Sequence, residues 1–213
     1  MRKERLKNSF RLRALLLTPV LAVVLASCGN PFGPPKPPTA AEILDKPAHS
    51  NLKDAHFVVS ASIPLSASAG TVTASGDGLL VFKPAQAVHM TLQTNFAGQT
   101  ATLEEISIGG KDYSRATGQS KWTAKASTSS PADFSGNDAR YVGEEVLPQG
   151  KAWHVKAKTK DTGDPFDAWV RESDGYPLKF SGSSANTQLT FSFDRFNTGG
   201  TVTAPPASDV IQG

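Results

Sequence analysis

The side chains able to do chemistry are few and scattered. Cys28 is the only thiol in 213 residues. The four histidines, His49, His56, His89 and His154, lie far apart, and three of them fall on the polar phase of alternating segments. Histidines so placed are expected to face solvent rather than to share a metal ion. The acid pairs Glu104-Glu105 and Glu144-Glu145 are sequence neighbours. Adjacent side chains of a strand point to opposite faces, so neither pair makes a carboxylate dyad. There is no G-x-S-x-G elbow, no H-E-x-x-H pattern, no phosphate loop and no C-x-x-C pair, and Gly76-Asp77-Gly78 lacks a third glycine. A catalytic centre would have to be assembled from distant residues, and nothing points to one. The chain is read as a non-enzyme with no cofactor and no metal site, and the one modification the residues support is at Cys28.

What positions Cys28 is the stretch before it. Six basic residues and one acid lie within residues 1–13, followed by the apolar run Ala14 to Ala26 and small residues at Ala26 and Ser27. A basic stretch, a short apolar stretch and a small-residue site make a secretory signal. The run is shorter than the roughly 20 apolar residues of a membrane-spanning helix and contains Pro19. The segment Leu25-Ala26-Ser27-Cys28-Gly29 resembles the bacterial lipobox. That resemblance implies a diacylglyceryl group on Cys28 and cleavage just before it. The expected location is the cell envelope, anchored by the Cys28 lipid to the outer face of the cytoplasmic membrane, or to an outer membrane where there is one. Two or three acyl chains would hold the protein there firmly.

The signal also accounts for the basic balance. The whole chain is +3 and residues 1–27 contribute +5, so the remainder is −2. Nucleic-acid binding has no basic stripe to rest on. Residues 28–38 contain GNPFGPPKPP, whose prolines favour an extended tether of about 30 Å.

Residues 39–213 amount to one domain. Thr39 and Glu42 form a capping-box pattern, and Ile43, Leu44, Ala48 and Leu52 fall at helical spacing, so a helix is expected over 40–53, bent or divided at Pro47. After Lys53 the period changes to two. Phe57, Val59, Ala61 and Ile63 alternate with polar or exposed partners, as do Val88, Met90 and Leu92, then Trp153, Val155 and Ala157, then Leu189, Phe191 and Phe193. Such runs are half-buried strands. Gly109-Gly110 and Asp174-Gly175 supply hairpin turns. The class expected is α+β, mainly antiparallel β. Residues 116–139 are rich in Ser, Thr, Ala and Gly and read as a connection or lid in which only Trp122 and Phe134 are buried, with a helical turn at Pro131–Phe134. The end of the chain, from Ala204, reads as a closing edge followed by a loose end.

One short helix cannot cover the apolar face of so broad a sheet. Two outcomes satisfy that shortage: an open apolar concavity suited to an apolar ligand, or a sheet that curls on itself and packs solid. A resemblance bears on the choice. The ordered features Leu52-Lys53-Asp54-Ala55-His56-Phe57, Gly76 to Pro84, Ile108 to Tyr113 with Lys121-Trp122, and Trp169-Val170 with Asp174 to Lys179 resemble the bacterial lipoprotein-carrier superfamily of LolA and LolB, with the LppX/LprG lipoproteins the nearer branch. The resemblance implies a half-open β-barrel, a clam-like sheet whose concave face is plugged by short helices. It also implies binding of a lipid or glycolipid in an apolar cavity for carriage or transfer. The side chains expected to line that cavity are Phe57, Val59, Leu80, Phe82, Met90, Leu92, Trp153, Phe191 and Phe193. The alternative on the same fold is a non-transporting sensor or interaction lipoprotein that binds an envelope protein through a sheet edge or the 116–139 segment.

Overall fold

In the computed structural model, residues 38–64, 70–96, 98–127, 134–184 and 187–213 are described. The signal segment, Cys28 and most of the proline tether lie outside them, as do Pro131, Ala132 and Asp133 of the expected helical turn. The helix α1 runs from Ala40 to His49. Its capping box forms as the sequence suggests: the Glu42 amide donates to Thr39 Oγ1 at 3.3 Å, and the Thr39 amide donates to Glu42 Oε2 at 2.7 Å. The helix is four residues shorter than expected, and Ser50 caps it. It passes through Pro47 as one element. Proline sits there in the last turn, where it removes a single backbone bond, to the Ile43 carbonyl. Ala48, expected on the buried stripe, is exposed, and Leu52 is fully buried in the extended lead into the first strand.

Twelve strands follow: β1 Asp54–Pro64, β2 Thr71–Val81, β3 Ala87–Phe96, β4 Gln99–Ile108, β5 Lys111–Ala116, β6 Trp122–Ala126, β7 Asn137–Leu147, β8 Gly150–Lys158, β9 Pro165–Arg171, β10 Pro177–Ser184, β11 Thr187–Phe196 and β12 Val210–Gln212. They form one sheet in the order β12-β6-β5-β4-β3-β2-β1-β11-β10-β9-β8-β7. Two antiparallel meanders, β1 to β6 and β7 to β11, are joined where β1 pairs with β11. The architecture is the half-open antiparallel barrel expected, with one helix on the concave side. Gly109 and Gly110 turn β4 into β5 with φ of +59° and +74°, values a Cβ-bearing residue rarely adopts. The Asp174-Gly175 turn is longer than a two-residue hairpin, because five residues, 172–176, separate β9 from β10. Part of the stretch expected as a connection is strand: β6 begins at Trp122, whose ring is buried.

The cross-strand register divides the concave face into three zones. In the first, α1 packs on β7, β8 and β9, and Ile43 and Leu44 meet Val155, Phe166, Ala168 and Val170. In the second, on β10, β11, β1, β2 and β3, the inward residues are apolar and no helix among the described residues covers them. Phe180 opposes Phe191, Phe191 opposes Val59, Phe193 opposes Phe57, and the row continues through Gly78 to Met90. In the third the face turns polar. Met90 opposes Glu105 and Glu105 opposes Ser114, while Val88 opposes Ser107, Ser107 opposes Asp112 and Asp112 opposes Lys125.

On β4 to β6 the apolar phase has moved to the outside: Ile106, Trp122 and Ala124 are buried there. The last residues of the chain serve that outer face. After β11 the chain is pinned at Asp54, which accepts from the amides of Thr198 and Gly199 at 2.9 and 3.0 Å and from the Thr198 hydroxyl at 2.8 Å. At Gly200 it lies so close to Leu79, an outward residue of β2, that a Cβ would sit 2.7 Å from that side chain. It ends as β12, parallel to β6 at the far edge, with Lys121 Nζ donating to the Ser208 carbonyl at 2.5 Å. From β2 to β6 is roughly 19 Å at the usual strand spacing, within reach of the ten residues available. What the sequence suggests as a loose end is thus a strap.

Candidate functional site: an amphipathic cavity

Between the first and third zones lies a cavity of about 380 Å³. Its apolar wall is made by Phe57, Leu80, Val88, Met90, Phe134, Phe180, Phe191 and Phe193, and its polar wall by Glu105, Ser107, Asp112, Ser114 and Lys125. The aromatic part is a connected group. Phe57 meets Phe191 edge-on at 5.5 Å between ring centres, and Phe134 meets Phe193 edge-on at 5.8 Å and stacks on Phe82 at 6.1 Å. These are ordinary favourable aromatic separations. Phe134 belongs to the connection between β6 and β7, which stand near opposite ends of the sheet, so that connection brings an aromatic ring onto the concave face.

A missing side chain helps to make the room. Gly78 is the cross-strand partner of Phe57, and a Cβ there would lie 2.5 Å from Phe57 Cζ. The ring therefore lies over bare backbone, which keeps it back against the sheet.

Of the nine side chains expected to line a cavity, the structure brings Phe57, Leu80, Met90, Phe191 and Phe193 together around this one. The other four sit elsewhere. Val59 and Phe82 are buried in the core beside it, and Leu92 packs against that same core half-buried. Trp153 is on β8, in the zone that α1 covers, with Lys46 Nζ 5.1 Å from its ring centre. Phe180 and Val88 were missed, although both lie on apolar phases of readable strands. Phe134 was read only as a buried ring of the connection. The polar wall was missed altogether.

The charged groups of the polar wall differ from those outside. Among the described residues, the side chains of Glu105, Asp112 and Lys125 make no close hydrogen bond or ion pair, and Lys125 and Asp112 act on Glu105 only at longer range. Burial pushes the Glu105 carboxyl above the usual carboxylate range, Lys125 opposes that shift and Asp112 adds to it. Its neighbour Glu104 faces outward. Burial works against its charge too, but hydrogen bonds from Arg115 Nη2 at 2.6 Å and with His89 Nε2 at 2.9 Å outweigh it and hold the carboxyl below the usual range.

The histidines are less exposed than their strand phases suggest. His154 is buried, with Nε2 2.5 Å from Asp167 Oδ1 and Nδ1 2.8 Å from Glu145 Oε1. Its ring stacks on Trp169 at 4.3 Å between centres. His56 and His89 are half-buried, each beside a carboxylate. Alternation shows which side of a strand a residue is on, but not what lies on that side. Among the described residues no group of three or more His, Cys, Asp or Glu is placed to hold a metal ion.

The fold is that of a half-open antiparallel barrel, and it is similar to solved structures of that shape. The lipoprotein LppX of Mycobacterium tuberculosis superposes with a TM-score of 0.50 at 12% identity, covering 77% of this chain and 98% of that one. An uncharacterized conserved protein of Thermus thermophilus gives a TM-score of 0.50 at 13% identity over 82% of this chain and 99% of that one. LprF of Mycobacterium bovis gives 0.47 at 10% identity over 78% of this chain and 96% of that one. The likeness is one of fold. No family model matches the sequence, and no curated protein matches it.

Proposed function

We propose that this protein is an envelope lipoprotein, anchored through Cys28, that binds one lipid in the cavity and carries or transfers it. In this reading residues 1–27 are a cleaved signal, residues 28–38 the lipidated tether and residues 39–213 one lipid-binding domain. The observation that supports it most is the apolar zone between α1 and the polar wall, which no described helix covers and where five phenylalanines meet around about 380 Å³ of space. That volume is near the lower end of the roughly 300–1,000 Å³ typical of ligand pockets. It suits a single lipid tail better than a large multi-chain lipid. Burial of the tail would supply the affinity, at about 25 cal/mol per Å² of apolar surface. No proton transfer or nucleophile is required.

Native mass spectrometry of the protein purified from bacteria tests this reading. A lipid adduct, lost on solvent extraction and regained from added lipids, is the expected result. A clean unliganded mass with no uptake of any lipid would overturn it.

A second reading, a sensor that binds an envelope protein, draws on one feature. β7 ends the sheet with Tyr141, Val142 and Val146 exposed, the last at 84%. A free strand edge carrying exposed apolar residues is a template for another chain. Crosslinking in the envelope that captures one reproducible partner on a lipid-free protein would favour it.

A further inference from the structure

We propose that the cavity selects an amphiphile whose headgroup is uncharged and rich in hydroxyls, and that Glu105, Asp112 and Lys125 hold that headgroup while the aromatic wall holds the tail. The inference rests on the lipid-binding reading and deepens it.

The first argument is placement. The cross-strand rows change from apolar to polar within one step, Met90 to Glu105 and Val88 to Ser107. The cavity therefore has two ends of different chemistry. Lys125 is exposed and Asp112 and Glu105 are half-buried, so the polar end opens toward solvent near β6, and the aromatic end is the enclosed one. A lipid would enter this cavity with its tail toward Phe57 and Phe193 and its headgroup at the charged strip.

The second argument is unused capacity. The outward carboxylate Glu104 is bonded by both Arg115 and His89. Asp54 is bonded by Thr198 and Gly199. Glu105, Asp112 and Lys125 make no such bonds among the described residues, although they share one wall. An ionised carboxylate only accepts, an ammonium only donates, and a serine hydroxyl does both. Together with Ser107 and Ser114 they offer acceptors and donors side by side, the complement of adjacent hydroxyls on a sugar or glycerol.

The third argument is sign. Two carboxylates and one ammonium leave this wall with no surplus of positive charge. A phosphate would meet Glu105 and Asp112 as like charges, and only Lys125 would favour it. Repulsion against the wrong ligand is as much a source of specificity as attraction to the right one.

The test uses the full-length protein, stripped of lipid and loaded with a neutral naphthylamine reporter. Four competitors sharing one C18:1 chain are compared: oleoylglycerol, oleyl glucoside, oleic acid and oleoyl lysophosphatidylglycerol. At least one neutral hydroxylated competitor should displace the reporter at a concentration about tenfold or more below that of the lysophosphatidylglycerol, and the better of the two identifies the headgroup source. The double variant Glu105→Gln/Asp112→Asn should shrink that ratio to about threefold or less with the reporter still bound. Asp112→Asn alone should shrink it partway and serves where the double variant does not fold. Equal or better displacement by the anionic lipid overturns the proposal, as does an unchanged ratio in a variant that still binds reporter. If neither the reporter nor any competitor binds the unaltered protein, the lipid-binding reading falls with it. Binding without headgroup preference sinks the headgroup proposal alone.

Discussion

Glu104 and Glu105 are neighbours on β4 that face opposite sides of the sheet and have opposite electrostatic surroundings. Glu104 lies outside under Arg115, with its carboxyl held below the usual range, whereas Glu105 lies inside with no bonded partner among the described residues, its carboxyl pushed up by burial. A strand places consecutive side chains on opposite faces, so the division needs only the sheet to have a wet bonded side and a cavity side.

The pair predicts stability changes of opposite sign. With its folded pKa raised, Glu105 holds its proton in the folded state at a pH where the unfolded chain has released it. Stability therefore falls as pH rises through the window above the ordinary carboxylate value, and the loss is complete once the folded group ionises. Glu105→Gln should stabilise the protein at pH 7 by about 1 kcal/mol or less, and the gain should vanish at acid pH. Glu104→Gln should cost about 1 kcal/mol at pH 7. Urea midpoints at pH 4 and pH 7 check both. Equal effects of Glu105→Gln at the two pH values would remove the electrostatic account.

Asp54 should be the acid-sensitive anchor of the strap. It is 2% exposed. Burial alone would raise its pKa, but the Thr198 hydroxyl and the amides of Thr198, Gly199 and Gly200 outweigh that and hold it below the usual range. Its contribution is present above the ordinary aspartate pKa and is lost as pH falls through the folded value. Asp54→Ala leaves several donors without an acceptor and should cost about 3 kcal/mol. Hydrogen exchange at the Thr198 and Gly199 amides should quicken in step with the lost stability. Unchanged protection of those amides would show that the strap is held elsewhere.

The strands were readable where alternation and turn residues agree. β1, β3, β8 and β11 each carry apolar residues two apart, and Gly109-Gly110 marks the turn between β4 and β5. What alternation could not show is which residues become neighbours across a dozen strands. Trp153 and Phe57 have the same local pattern, yet α1 covers one and the other lines the cavity. Likewise Ile106 and Ala124 have the phase of core residues, but the register sets their side chains on the face opposite Glu105 and Lys125. The polar wall was invisible for the same reason. Glu105, Asp112 and Lys125 come from three strands, and only the register aligns them.

Gly78 should be needed for the shape of the cavity as well as for the fold. A methyl group there would meet the Phe57 ring and the His89 carbonyl, each at 2.5 Å. Gly78→Ala should force that ring toward the cavity and cost about 1–3 kcal/mol, the usual penalty of overpacking. Reporter uptake should drop as well. A variant with full stability and full uptake would mean that Phe57 has somewhere else to go.

The walls of the cavity should respond unequally to mutation, because some lining residues are core and others border empty space. Phe193 is 3% exposed and packs against Phe57, Phe134 and Phe191, so Phe193→Ala removes contacts on several sides and should cost about 3–5 kcal/mol. Met90 is half-buried on the border between aromatic and polar walls, and the space beside it is open. Met90→Trp adds volume where there is room for it, so it should change stability by less than about 1.5 kcal/mol. If a lipid tail occupies that space, the same substitution should weaken reporter binding about tenfold or more. The two measurements together separate the cavity from the core around it. A Met90→Trp variant that binds as well as the unaltered protein would place the ligand outside this cavity, whereas one that fails to fold would show that the space is already filled by the protein itself.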